Sequence, residues 1–188
     1  FAGWYMNSNY DGVAIEEIST TDFGDKTYYA KWNVDSYDIT LDIDGGTINS
    51  GNIDSYTYGV GATLPTDITK TGYSFKGWYD NSSYTGDPIS SVLSTETGDK
   101  EFYARWDVNK YTITYVTNNG TINASNVTQY TYGVGATLPT NVTKTGHTFA
   151  GWYTNDSYAG ERMTSISTTT TGDKTFYAKW NVNSYDVT

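Results

Sequence analysis

Cysteine is absent from the 188 residues, so the chain forms no disulfide and offers no thiolate to a metal. That leaves its redox compartment open. Positive charge is short: 11 Lys and Arg stand against 21 Asp and Glu, for a net charge of −10. Phosphate binding needs clustered cations, so a nucleic-acid partner is excluded. No apolar run is long enough to cross a bilayer, and membrane insertion of this segment is not expected. A signal-peptide pattern is also missing, as in any stretch from the middle of a longer chain. Leucine occurs only at positions 41, 64, 93 and 138, and strong helix formers are sparse. Histidine occurs once, at His147.

Aromatic side chains take the place of leucine. The chain carries 19 Tyr, 6 Trp and 6 Phe, and such rings must supply most of the core area. They also mark a period. Trp4, Trp78 and Trp152 stand in G-W-Y triplets, and Trp32, Trp106 and Trp180 close Y-A-K/R-W; both series step by 74 residues. Residues 37–110 align with 111–184 without a gap, 43 of the 74 positions being identical. A unit of this size lies in the range of a small independent domain, above the repeats that must stack to fold. The expected organisation is the C-terminal half of a repeat at 1–34, complete repeats at 35–108 and 109–182, and the first strand of another at 183–188. Both ends then cut through a repeat, so the chain reads as a window on a longer protein.

Within a unit the composition favours strands, with turn signals about every dozen residues. Tyr37, Ile39, Leu41 and Ile43 alternate with polar residues before an Asp44-Gly45-Gly46 turn; Tyr111, Ile113 and Tyr115 lead to Asn118-Asn119-Gly120. YTYGVGATLPT, unchanged at 56–66 and 130–140, reads as a strand over Tyr56, Tyr58 and Val60 that ends near Pro65 or Pro139. A short helical turn is expected in TDITKTG (66–72). In F-x-G-W-Y, alternation puts Phe75, Gly77 and Tyr79 on one face and Trp78 on the other. The link between units (Asn181 to Ser184 in the last copy) has neither Gly nor Pro and is expected to run extended, fixing the relative orientation of successive units.

Few residues carry chemistry. The place of His147 is held by Tyr73 one period earlier, so it is no acid or base common to the copies. Asp42 and Asp44 hint at a calcium loop, but the next copy has Val116 and Asn118 there and no Glu follows at the required spacing. N-x-S/T sequons at Asn81, Asn119, Asn123, Asn126, Asn141 and Asn155 are the chance product of an Asn- and Thr-rich chain. Lys26, Lys100 and Lys174 recur in G-D-K and read as solvated turn lysines rather than crosslinking groups. No catalytic residue, metal site or cofactor is assigned, and an enzyme is not expected. The aromatics are the open case. Phe75, Trp78, Phe102 and Trp106 read as core, whereas Tyr79, Tyr84, Tyr103, Tyr153, Tyr158 and Tyr177 either rim that core or form a ligand-binding face.

The order of motifs, above all KTGYSFKGWY (70–79) followed by GDKEFYARW (98–106), closely resembles the Listeria-Bacteroides repeat. The resemblance covers both full units and the N-terminal half unit. It implies a small β-grasp-like domain, a mixed sheet with a short helix, in bacterial surface proteins and adhesins. The expected fold class is therefore α+β, strand-dominated, with at most one short helix per repeat. The expected function is a structural stalk or filament segment at a bacterial surface or cell wall. The alternative is a multivalent adhesive module binding glycan or host protein through exposed tyrosines. Expected partners are neighbouring repeats, with like chains by self-assembly as a further possibility.

Overall fold

A computed structural model describes residues 1–123 and 126–187. Ala124, Ser125 and Thr188 lie outside the described residues, and with them the end of the sequon at Asn123 and the last residue of the expected 183–188 strand. Residues 1–34 hold β1 (Gly3–Tyr5) and β2 (Tyr29–Lys31). Next come β3 (Ser36–Asp42), β4 (Thr47–Ile48), β5 (Ser55–Thr57), β6 (Ala62–Thr63), β7 (Ile68–Thr69), β8 (Tyr73–Tyr79), β9 (Ser91–Val92) and β10 (Lys100–Val108). The same series recurs as β11 (Lys110–Val116), β12 (Thr121–Ile122), β13 (Gln129–Thr131), β14 (Ala136–Thr137), β15 (Val142–Thr143), β16 (His147–Tyr153), β17 (Ser165–Ile166) and β18 (Lys174–Val182).

Each series builds one four-stranded sheet, ordered β5-β3-β10-β8 in the first and β13-β11-β18-β16 in the second. The inner pairs β3/β10 and β11/β18 are parallel, and the β13/β11 and β16/β18 pairs are antiparallel. Between the parallel strands the chain crosses over through the two-stranded ladders β4/β7 with β6/β9 and β12/β15 with β14/β17. The described chain forms two compact units, Phe1–Asp42 with Gly51–Thr66 and Trp78–Tyr103, and Ile43–Ser50 with Asp67–Gly77 and Ala104–Thr188.

No helix is present among the described residues, so the fold is all-β and the expected α+β, β-grasp-like domain with its short helix is overturned. The segment TDITKTG shows why. Ile68-Thr69 and Val142-Thr143 are β-branched pairs, stiff at χ1, and each forms a ladder with Thr47-Ile48 or Thr121-Ile122. Ile68 and Val142 are buried, while Gly72 and Gly146 turn the chain at φ +79° and +71°. The few residues between Pro65 and Gly72 fall far short of the length at which helix propagation offsets the cost of nucleation.

Two strand expectations also change. β5 ends at Thr57, because Val60 and Gly61 N–H both donate back to the Thr57 carbonyl (3.0 and 3.1 Å); Tyr58 and Val60 lie on this turn, exposed. In β16 the pairing with β18 slips between Phe149 and Gly151, leaving Ala150 as the extra residue of a bulge. Phe149 then faces Trp180, and Trp152 faces Ala178, so the rings three positions apart point the same way. Simple alternation, which set Phe and Trp on opposite faces, misses this. Gly151 sits in the bulge at φ +127°, and a Cβ there would meet the side-chain stem of Arg162.

The core of the second repeat follows from the bulge. Trp152 is fully buried among Ile113, Leu138, Ile166, Phe176 and Ala178. Phe149 packs on Trp152 at 5.2 Å and on Trp180 at 5.4 Å, edge to face, and Tyr115 lies 4.8 Å from Trp152. Trp152 Nε1–H donates to the Pro139 carbonyl at 2.8 Å, which satisfies the one polar atom of the ring. In the first unit Trp78 Nε1–H donates to Pro65 in the same way, at 2.7 Å. Trp180 lies over Gly120, where a Cβ would enter its ring, and donates to Thr117 O at 2.9 Å. In residues 1–34, which hold no strand like β11, the corresponding Trp4 and Trp32 are 47% and 71% exposed.

Tyr115 replaces the Leu41 of the first repeat and donates its hydroxyl to Val127 O at 3.0 Å. Burial pushes its phenol from 10.0 up to about 12. Because the folded pKa is raised, the stability tied to neutral Tyr115 is fully present below pH 10 and is lost as pH rises through about 12. Tyr115→Phe is therefore expected to delete the last phenolate step in an ultraviolet absorbance titration and to move alkaline unfolding to higher pH. An unchanged titration would refute the assignment.

Candidate functional site

The candidate tyrosines gather around one local device. After β16 the chain enters the loop TNDSYAG, in which the Asn155 side chain does the work of a strand partner. Its Nδ2 donates to Ala159 O (2.9 Å) and its Oδ1 accepts from Ala159 N–H (2.9 Å). Asn81 braces Thr85 and Asn7 braces Asp11 with the same two bonds. The brace drives the residue inside it to positive φ: Tyr158 at 54°, Tyr84 at 53° and Tyr10 at 58°. A bulky residue seldom adopts that conformation. Tyr occupies it three times, which identifies the ring as the feature retained.

In the second repeat Tyr158 meets Tyr153 edge to face at 5.8 Å, and its hydroxyl accepts from Asn118 Nδ2 at 3.0 Å. Lys179 Nζ stands 5.2 Å from the Tyr153 ring and 5.8 Å from Tyr158. Tyr177 pairs directly with Tyr153 across β18 and β16. The structure thus brings Tyr153, Tyr158 and Tyr177 together. In the first unit Tyr79 and Tyr84 form the matching edge-to-face pair at 5.8 Å, with Tyr79 buried. A hydrogen bond with Glu101 raises the Tyr103 phenol above its ordinary value. In residues 1–34 Lys31 lies over Tyr5 and Tyr10 at 5.3 and 5.8 Å. From sequence Asn81 and Asn155 read only as chance sequons, and neither Asn7 nor the strand lysines stand out, although N-x-x-Y recurs at the 74-residue step and marks the braces.

Three ion pairs involve residues at or beside turns. Lys70 donates to the Asp44 carbonyl and carboxylate at 2.7 and 2.9 Å. Lys100 pairs with Glu96 at 2.9 Å; this hydrogen bond holds the Glu96 carboxyl below, and the Lys100 ammonium above, their ordinary values. Lys26 pairs with Asp22 at 3.3 Å. The His147 Nδ1 lies 2.8 Å from Thr145 O. Among the described residues no group of three His, Cys, Asp or Glu is placed to hold a metal ion.

The second notable constellation is the seam after the first complete repeat. β10 runs to Val108 and β11 begins at Lys110, so Asn109 alone joins them. Its N–H donates to Gly72 O (2.9 Å), its Oδ1 accepts from Ser74 Oγ (2.6 Å), and its carbonyl accepts from Tyr132 N–H (3.0 Å). The Tyr132 ring covers Gly72, where a Cβ would enter the ring, and meets Tyr73 edge-on at 5.8 Å. Asn183 repeats the first half of the clamp on Gly146 O (2.9 Å) and Thr148 Oγ1 (2.7 Å).

Two all-β repeats alike at 43 of 74 positions, with Asn109 alone between the last strand of one and the first strand of the next, define a tandem-repeat protein. The family profile of the Listeria-Bacteroides repeat domain matches residues 37–105 and 111–179, and the chain belongs to that family. Two proteins of Evansella cellulosilytica, described as membrane proteins and one of them as Gly-rich, are each 32% identical over the whole chain, which covers 27% and 21% of their lengths. Internalin H of Listeria monocytogenes is 32% identical over 157 residues, 79% of this chain and 26% of that protein. The chain thus spans about a quarter of the length of the curated relatives it matches. No solved structure matches. Family and relatives together give a repeat of surface-associated bacterial character.

Proposed function

We propose that the chain is a segment of an extracellular structural stalk, in which β repeats joined at fixed orientation space and present other domains of a longer bacterial surface protein. The seam carries this reading: Asn109 is bonded to residues on both sides of it, and Tyr132 closes over Gly72. Such bonds resist swivelling at Asn109, which suits a spacer better than independent binding beads. The proposal includes no catalytic role. The tyrosine clusters serve it as packing devices, since Tyr153 and Tyr158 turn into each other and Lys179 lies over both.

Nuclear magnetic relaxation of the full chain tests the proposal. Residues of the two complete repeats are expected to report one shared tumbling tensor. Insertion of two glycines after Asn109 is expected to split it into two. If the native chain already shows independent tumbling, the stalk reading fails.

A further inference from the structure

In each complete repeat the strand that opens the fold lies beside the strand that closes it, and the two run parallel. In the second repeat the register is Ile113 with Lys174, Thr114 with Thr175, Tyr115 with Phe176 and Val116 with Tyr177. In the first it is Ile39 with Lys100, Glu101 with Thr40, Phe102 with Leu41 and Tyr103 with Asp42. The chain therefore enters at the near end of one strand and leaves at the far end of its neighbour. Tension along the chain drags these neighbours past each other, and the hydrogen bonds between them, which bridge the strands, are loaded together. An antiparallel hairpin pulled from its open end would instead unzip rung by rung. The load arrives by a direct route, because β10 passes to β11 through Asn109 alone.

The recurrent G-D-K turn extends this ladder. Thr112 lies one position before the paired register, and its N–H donates to the carboxylate of Asp173 at 2.7 Å. Asp38 N–H donates to Asp99 in the same way, at 2.9 Å. Each carboxylate thus adds a charge-assisted rung at the end of the parallel pair where tension enters. The turn itself is pinned by a tyrosine hydroxyl: Tyr56 donates to Gly98 O at 2.7 Å, and Tyr130 to Gly172 O at 2.5 Å.

We infer that each complete repeat is a force-bearing element: the parallel pair β3/β10 or β11/β18 is a clamp loaded in shear, and the G-D-K aspartate is its leading rung. The inference rests on the stalk reading for its purpose, but its mechanics are measured separately. Single-molecule force spectroscopy of the full chain, held at its two ends, is expected to show two discrete unfolding events, each releasing at most about 250 Å of extended chain. Asp173→Ala removes a charge-assisted bond on the loaded path and is expected to speed forced unfolding of one repeat about tenfold at a given load. Asp173→Asn keeps an acceptor and is expected to fall between it and the native chain.

Asn155→Ala is the control: it breaks three hydrogen bonds, two with Ala159 and one from Ser157 Oγ, in a loop off that path. It is expected to lower resistance to urea while leaving the forced-unfolding rate unchanged. Circular dichroism at zero load verifies that each variant is folded. Equal mechanical effects of Asp173→Ala and Asn155→Ala, or gradual extension without discrete events, would overturn the clamp. Neither result touches the shared tumbling of the repeats, so the clamp and the stalk fail by different measurements.

Discussion

Trp152→Ala is expected to unfold the second repeat, or bring it to the edge of unfolding, while the first survives. The ring is 2% exposed and is the largest side chain of the core cluster it shares with Ile113, Leu138, Ile166 and Phe176. Removing such a side chain costs about 3–5 kcal/mol, because the cavity collapses only incompletely. The Pro139 carbonyl, itself in a buried residue, also loses the indole N–H at 2.8 Å, a further cost of about 1–3 kcal/mol. A domain of this size has a net stability of only about 4–11 kcal/mol. Urea denaturation of the full chain followed by tryptophan fluorescence should split into two transitions, with that of the second repeat displaced far toward low urea. Trp152→Phe keeps most of the area and loses the donor, so it should fall between. A single unshifted transition for Trp152→Ala would mean that Phe149 and Tyr115 fill the hole, and would contradict this account of the core.

The second large effect comes from a residue with no side chain. Gly135 lies at φ +72°, and a Cβ built there would run into the Ile166 carbonyl oxygen, backbone against backbone. Gly135→Ala therefore has to force open the ladder between Ala136 and Ile166, at a cost of about 3 kcal/mol or more. Gly133, two residues earlier in the same YGVG turn, lies at φ +83° with open space where its Cβ would be. Gly133→Ala bears only the left-handed backbone, about 1–2 kcal/mol. Comparing the two by calorimetry separates backbone conformation from close approach. Equal losses would show that the approach to Ile166 is not what Gly135 provides.

Those two glycines show how far the sequence could be read. Their segment, copied unchanged at 56–66 and 130–140, reads from sequence as a strand running through Val60, whereas the chain turns back on Thr57; the 74-residue step of the tryptophans did mark the repeat. Alternation in YDITLD gave β3 its buried Ile39 between exposed Asp38 and Thr40. What alternation could not give was the slip at Ala150, because a bulge is defined against the partner strand, and β18 lies almost thirty residues away along the chain. The helix was expected both from the segment TDITKTG and from the resemblance, and both miss that Ile68-Thr69 and Val142-Thr143 are strand formers ending at a glycine turn.

The tyrosine cluster was only partly legible. Its rings could be named, but the lysine above them and the asparagine that forces Tyr158 into the left-handed region depend on a loop folding back on itself. The shortness of the seam was clearer, since the link has neither Gly nor Pro, and Asn109 alone stands between β10 and β11. Nothing in the order of residues said that Gly72 would be covered by Tyr132, sixty residues on.

That seam also governs how such a gene can change. Its hydrogen-bonding groups and covering ring stand at positions repeated in the next copy, Gly72 and Gly146, Ser74 and Thr148, Asn109 and Asn183, Tyr58 and Tyr132; Tyr73, at the edge of that ring, alone changes character, to His147. A crossover between two copies in register creates a joint made of the same groups, so whole repeats can be gained or lost without a misfit at the junction. A crossover out of register has no slack to absorb the error, and one extra residue turns every strand face over. Recombination can therefore set the length of the array only in steps of one whole repeat.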